Sequence, residues 1–131
     1  MQSRRNYKRV VVKIGSSLFA TEKSKLDTAL LGQLAGQISD LIKHGKEVVV
    51  VSSGAIALGM SILKLASRPK ELQYLQASAA IGQHELMHAY QCALNAYGLN
   101  CAQLLLTWDD FSDRKRYLNA KNTLNTLLKL K

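Results

Sequence analysis

Short valine-rich runs alternate with longer amphipathic segments along the first half of the chain. Residues 8–14 and 47–52 are strand-sized and β-branched, which predicts two buried strands. Between them, residues 26–44 carry leucine and isoleucine at helical spacing, and Gly45 follows as a common helix stop. We therefore predict a strand–helix–strand unit here.

The next part of the chain is predicted to be helical. Ser53 and Gly54 form a turn into a short helix that extends through Leu65. Residues 70–97 form a longer helix, either continuous or broken near Gly82.

The last part of the chain adds one strand and one helix to this prediction. Residues 100–106 are apolar and predict a third strand, and a final helix is expected from Asp109 to about Lys129. The resulting order, β-α-β-α-α-β-α, is typical of α/β proteins whose helices cover both faces of a parallel sheet. We therefore predict one domain, a three-layer αβα sandwich with a mainly parallel sheet.

Length and composition fit a single globular domain in the cytoplasm. The chain has 131 residues, 47% of them hydrophobic, which is enough for one compact core. No apolar run approaches the length of a membrane helix, and Lys13 interrupts the apolar stretch that a signal peptide would need. We expect no membrane partner. Cys92 and Cys101 are expected to be free thiols, although a disulfide between them is an open alternative.

The net charge of +9 has two explanations. It is typical of proteins that bind a polyanion such as nucleic acid. It also arises when basic residues crowd the two ends of a segment whose balancing acids lie elsewhere. The chain lacks interleaved aromatic residues that stack on bases, which favours the second explanation. We expect no nucleic-acid partner, and a basic non-catalytic binding domain remains an alternative.

Two of the predicted strands end in small, glycine-bearing turns. Gly15 and Ser16 follow Lys13, and Ser53 and Gly54 follow the second strand. Ligands of open α/β sheets bind beyond the carboxyl ends of the strands, where small residues let backbone N–H groups approach an anion. Lys13 ends a strand predicted to be buried, so its ammonium needs a partner. The pattern therefore predicts an anion site in which Lys13 faces a phosphate. The alternative is two ordinary turns with Lys13 reaching solvent. Neither turn has the Walker A sequence.

A separate motif, His84-Glu85-Leu-Met-His88, has the spacing of a zinc peptidase. Histidines four residues apart share a helix face and could hold zinc, while Glu85 would act as the base. No histidine follows His88, so the third ligand would have to come from an aspartate between residues 109 and 113. Zinc metallopeptidase is therefore an alternative function, and exposed helix residues are the simpler interpretation.

Five segments carry a resemblance that extends over the chain from Arg9 onward. They are residues 11–17, 51–59, 76–83, 102–107 together with Asp110, and 116–124. In order, they resemble the first phosphate loop, the second loop, the alanine-rich helix, the third strand with its following loop, and the next helix of the amino-acid kinase family. The second loop and the last segment are similar to the branch that phosphorylates glutamate for proline biosynthesis. The kinase part of bifunctional pyrroline-5-carboxylate synthases is the competing branch.

The resemblance implies an ATP-dependent phosphotransferase acting on the side-chain carboxylate of L-glutamate, with ATP and Mg²⁺ required by the intact enzyme. By resemblance, Lys13 is the catalytic residue and contacts the ATP phosphates together with Gly15 and Ser16. Ser53 and Gly54 would bind glutamate, and no residue is assigned to a metal.

The resemblance also implies what the chain contributes. The family continues with an acidic residue, a second lysine and an adenine pocket after the segments matched here. We therefore expect residues 1–131 to be the amino-terminal, glutamate-binding portion of a truncated kinase domain that lacks the nucleotide-binding portion and is inactive alone. Uncovered strand edges and apolar faces favour a homo-oligomer.

Overall fold

A computed structural model of the protein describes residues 7–16 and 26–130. Ser17, the last residue of the first predicted loop, lies outside the described residues. The elements are β1 (Arg9–Ile14), α1 (Thr28–Lys43), β2 (Glu47–Ser52), α2 (Ala55–Ile62), α3 (Leu72–Asn95), α4 (Asp109–Ser112) and α5 (Arg114–Leu130). The predicted strand–helix–strand unit is confirmed, and so are the short and the long helix that follow it. No helix in the described part of the chain is long and apolar enough to cross a membrane.

The two strands lie side by side and run in the same direction. In the parallel pairing, Lys13 is opposite Val51 and Ile14 is opposite Ser52. α1 makes the connection, and its start is fixed by Asp27, whose carboxylate accepts a hydrogen bond from the Leu30 N–H at 2.9 Å. Both strands therefore end at the same edge of the sheet, where the predicted site should lie.

Helices α1 and α3 cover one face of this sheet. The core cluster consists of Ile14 from β1, Leu31 from α1, and Leu86 and Tyr90 from α3. Burying these side chains together removes apolar surface from water and fixes the helices on the strands.

The opposite face of the sheet is partly open, so the prediction of two buried strands was wrong. No residue of β2 is fully buried, and Val51 is 51% exposed. Residues of β1 alternate between the core and the outside, and Val11 is 62% exposed. On that outer face the described contact with α5 is at Arg9, whose guanidinium donates to Asn125 Oδ1 at 3.1 Å. Lys13 shares the outer face with Val11 and its side chain is exposed.

The predicted third strand was also wrong. Residues 100–106 have no strand pairing, and the sheet of the described residues has two strands. The Gln91 side chain of α3 instead donates to the Leu99 carbonyl at 3.3 Å and accepts from the Cys101 N–H at 3.2 Å. A side chain thus satisfies backbone groups that a neighbouring strand would pair, and Leu105 is left 74% exposed.

The final predicted helix is divided into α4 and α5. Asp113 has an extended backbone, with φ −88° and ψ 123°, and its carboxylate accepts from the Arg116 N–H at 2.8 Å. Asp113 therefore ends the short helix and caps the next one, which is the usual role of aspartate at a helix start.

α2 and α3 touch backbone to backbone through two glycines. A Cβ built on Gly82 would overlap the Ala55 carbonyl oxygen, and a Cβ built on Gly59 would overlap the Ser78 carbonyl oxygen. α3 runs through Gly82 without a break. Gly82 therefore does not break α3. Its lack of a side chain lets the backbone of α2 pack directly against α3.

Candidate functional site

The two predicted loops begin next to each other at the carboxyl edge of the sheet. The Ser53 N–H donates to the Ile14 carbonyl at 3.1 Å, which extends the strand pairing one residue beyond β2. Gly15 and Ser16 follow Ile14 on one side of this bond, and Gly54 follows Ser53 on the other. The structure therefore brings the loop residues predicted for phosphate and for glutamate to one edge.

Gly54 has a conformation that few other residues adopt. Its φ is +116°, and it precedes α2 without a side-chain cap. The first-turn N–H groups of a helix have no intrahelical partner, and the helix dipole favours negative charge at that end. Ser53 is exposed and Gly54 is half-buried, so a ligand can reach this turn. The arrangement suits a carboxylate or a phosphate oxygen.

Lys13 lies at this edge but not in the environment that the sequence suggested. Its strand is half-exposed, so the ammonium faces solvent and needs no buried partner. Among the described residues Lys13 makes no ion pair. Its charge is therefore available to an anion held by the adjacent loops, although the burial argument for such an anion was wrong.

Tyr90 is a residue of this region whose link to the loops was missed from the sequence. It is 7% exposed, and its hydroxyl donates to the Ser52 Oγ at 3.0 Å. Burial raises the pKa of Tyr90, and the bond to Ser52 opposes that rise. Tyr90 belongs to the buried series on α3 with Leu86 and Leu94. The hydroxyl also ties α3 to the end of β2.

Replacing Tyr90 by phenylalanine should destabilise the protein modestly. The ring keeps its packing, but the Ser52 hydroxyl loses a hydrogen-bond donor, a change worth about 1 kcal/mol. Urea unfolding followed by circular dichroism measures this loss. Tyr74→Phe, on an exposed part of the same helix, is the matched control and should change the free energy of unfolding little. Equal effects of the two substitutions would contradict the assigned role of the Tyr90 hydroxyl.

A second cluster of polar groups closes the turn before α4. The Asp110 carboxylate accepts from the Thr107 N–H at 2.6 Å and from the Thr107 hydroxyl at 2.9 Å. These bonds, with a smaller contribution from Arg116, lower the pKa of Asp110. The carboxylate is thus used locally to hold the turn.

The histidine motif does not assemble a zinc site of the peptidase type. His84, Glu85 and His88 are exposed on α3. In the part of the chain that the structure describes, no three His, Cys, Asp or Glu side chains are grouped to hold a metal ion. A catalytic zinc needs three protein ligands, so the described residues do not support the metallopeptidase alternative.

In the comparison with known proteins, the three relatives described below carry the same name. The chain is 53% identical to glutamate 5-kinase of Aromatoleum aromaticum over 126 residues, which are 96% of this chain and 34% of the relative. It is 56% identical to glutamate 5-kinase of Nitrosomonas eutropha and 54% identical to that of Nitrosospira multiformis, each over 94% of this chain and 33% of the relative. The chain thus spans about a third of the length of the curated relatives it matches.

A family model provides the broader assignment. The model described as the amino acid kinase family matches residues 8–131. The match includes β1, β2 and the two loops that follow them, as well as the helix that carries the histidine motif. The chain therefore belongs to the amino acid kinase family.

Proposed function

We propose that this chain supplies the glutamate-binding and phosphate-contacting portion of a glutamate 5-kinase. The observation that carries the proposal is the 53% identity, over 96% of the chain, to a protein of that name. The geometry agrees with it, because two small loops on adjacent parallel strands open at one edge beside an exposed lysine. The reaction would move the γ-phosphoryl group of ATP to a side-chain carboxylate oxygen of L-glutamate, leaving ADP.

Each site residue has a distinct part in this proposal. Both substrates are anionic, so their approach requires positive charge and fixed N–H donors more than covalent chemistry. Lys13 would contact the ATP phosphates and neutralise charge on the transferring group. The N–H groups of Gly15 and Ser16 would bind phosphate oxygens, while Ser53 and Gly54 would hold the glutamate carboxylate at the start of α2.

Mg²⁺ would enter this site with ATP. No group of three candidate metal ligands occurs in the described ranges. The site residues Lys13, Gly15, Ser16, Ser53 and Gly54 carry no carboxylate, and their N–H groups and ammonium suit phosphate oxygens. Magnesium bound to ATP would neutralise phosphate charge, and the chain's own residues would orient the phosphates.

The remaining organisation of the protein is also proposed. A third layer would lie on the outer face of the sheet, on the side where Asn125 of α5 meets Arg9 and where Val11 is exposed. The exposed apolar residues also favour a homo-oligomer. We propose a cytoplasmic enzyme, without a nucleic-acid partner, in which residues 1–131 contribute one portion of the kinase domain.

Pyrophosphate binding tests the site on the chain itself. Nuclear magnetic resonance of the ¹⁵N-labelled chain should show the largest amide shifts at Gly15, Ser16, Ser53 and Gly54, because their N–H groups would bind the anion. Lys13→Ala should weaken these shifts.

Lys43→Ala provides the matched control for this titration. Lys43 ends α1, near the amino-terminal end of β2 and away from the loops, so its removal should leave the response unchanged. Amide shifts concentrated elsewhere, or equal effects of the two lysine substitutions, would contradict the assigned anion site.

A further inference from the structure

Two metal-ligating side chains are in contact on the exposed face of α3. The Cys92 Sγ lies 3.5 Å from the His88 Nε2, one helical turn away. Both residues are exposed, and Cys92 is a free thiol. Neither the proposed kinase chemistry nor the peptidase motif uses this pair.

The separation of the two atoms matches that of ligands on one metal ion. A Zn–S bond of about 2.3 Å and a Zn–N bond of about 2.0–2.1 Å, at a tetrahedral angle, place sulfur and nitrogen roughly 3.5 Å apart. The observed distance of 3.5 Å therefore matches the separation that chelation of one ion requires.

The helix holds this geometry in place. α3 runs from Leu72 to Asn95, and Leu86 and Tyr90 are anchored in the core on its opposite side. A ligand pair fixed by a rigid element loses little conformational freedom when it binds. Glu85 lies on the same helix one turn before His88 and adds local negative charge in a basic chain.

We propose that His88 and Cys92 form a two-residue site for a borderline or soft divalent cation such as Zn²⁺. The neutral imidazole binds through Nε2, and the thiol binds as thiolate after releasing one proton to solvent. Water fills the remaining positions, since the described chain brings no third ligand to the pair. The site is therefore open and exchangeable, and it differs from a His84–His88 pair in using sulfur.

The second thiol offers a matched comparison. Cys101 is half-buried, its Sγ donates to the Gln91 Oε1 at 3.3 Å, and burial raises the pKa of Cys101. A thiol that keeps its proton and its hydrogen bond is a poor metal ligand. Cys101→Ser should therefore leave metal binding unchanged.

Titration of the reduced 131-residue chain with Co²⁺ tests the proposal, because thiolate-bound cobalt has a near-ultraviolet charge-transfer band. We expect one thiolate-bound Co²⁺ per chain, displaced by Zn²⁺. Cys92→Ser should abolish the band. Loss of groups that only orient metal ligands costs about 10–100-fold in affinity, so His88→Ala, which removes a ligand, should weaken binding at least about tenfold.

Two further variants separate this site from its competitors. Cys101→Ser and His84→Ala should both leave the band and the affinity unchanged. Absence of the band in the folded chain would overturn the proposal. So would a band that is lost in Cys101→Ser, or binding that requires His84. None of these readouts depends on kinase activity, so the metal site and the proposed function can fail separately.

Discussion

Lys13→Ala should lower kcat by roughly 10²–10³-fold in an enzyme that contains this chain, which is the loss typical of removing one group that stabilises transition-state charge. The suitable protein is a hybrid enzyme, in which this chain replaces the matched third of the Aromatoleum aromaticum glutamate 5-kinase. Lys13 lies beside the loops and makes no ion pair among the described residues, so its charge is free to act on the transferring group.

Comparing the effects of Lys13→Ala on kcat and on KM for glutamate shows whether Lys13 stabilises the transition state or only binds substrate. If Lys13 acts on charge that develops during transfer, KM for glutamate should change far less than kcat. Lys43→Ala in the same hybrid should retain both constants. A raised KM for glutamate with an unchanged kcat would instead mean that Lys13 only binds substrate.

Gly82→Ala should be strongly destabilising, by about 3 kcal/mol or more, because the added methyl group enters a fully packed site. The new Cβ would overlap the Ala55 carbonyl oxygen, and backbone cannot rotate away as a side chain can. α2 would have to move off α3, and α2 begins immediately after Gly54. Urea unfolding should show the loss of stability, and the pyrophosphate response at Gly54 should weaken with it.

Gly32→Ala is the matched control for this prediction. Gly32 lies within α1, and a Cβ there meets nothing within 4 Å. Alanine is the better helix former, so this substitution should stabilise the protein by up to about 1 kcal/mol. Equal stability of Gly82→Ala and the parent chain would show that α2 and α3 are not in backbone contact.

Features that depend on adjacent residues could be predicted from the sequence. The valine runs predicted both strands, and Gly15 and Gly54 predicted the turns that end them. Because parallel strands end at one edge, the two loops could be assigned to a common site before their pairing was known. Because α1 connects the two strands, they run in parallel, and the local sequence pattern was sufficient to predict that both loops lie at one edge.

Features that depend on distant neighbours could not be predicted in the same way. An apolar run such as residues 100–106 becomes a strand only beside another strand with free backbone groups. Here the Gln91 side chain instead hydrogen-bonds to the backbone of Leu99 and Cys101. The exposure of Val11 and Lys13 follows from which helices cover the sheet. The Tyr90–Ser52 bond joins residues 38 positions apart, and no pattern along the chain indicates it.

The start of α5 after Asp113 was indicated by a local sequence signal but was not predicted. An aspartate inside an apolar-periodic segment is a recognisable helix cap, and the carboxylate does accept from the Arg116 N–H. The prediction nevertheless took residues 109–113 as the start of a single helix. The local capping signal was the better guide to where α5 begins.

The most direct test of the central claim is a coupled assay of ADP release with L-glutamate and Mg-ATP, run on the hybrid enzyme and on the 131-residue chain alone. The relatives devote about two-thirds of their length to residues beyond those matched here. We therefore predict turnover from the hybrid that requires glutamate, and only background from the chain alone. A folded hybrid without glutamate-dependent ADP release, under conditions where the unmodified relative is active, would contradict the assignment of this chain to the glutamate-binding portion of the kinase.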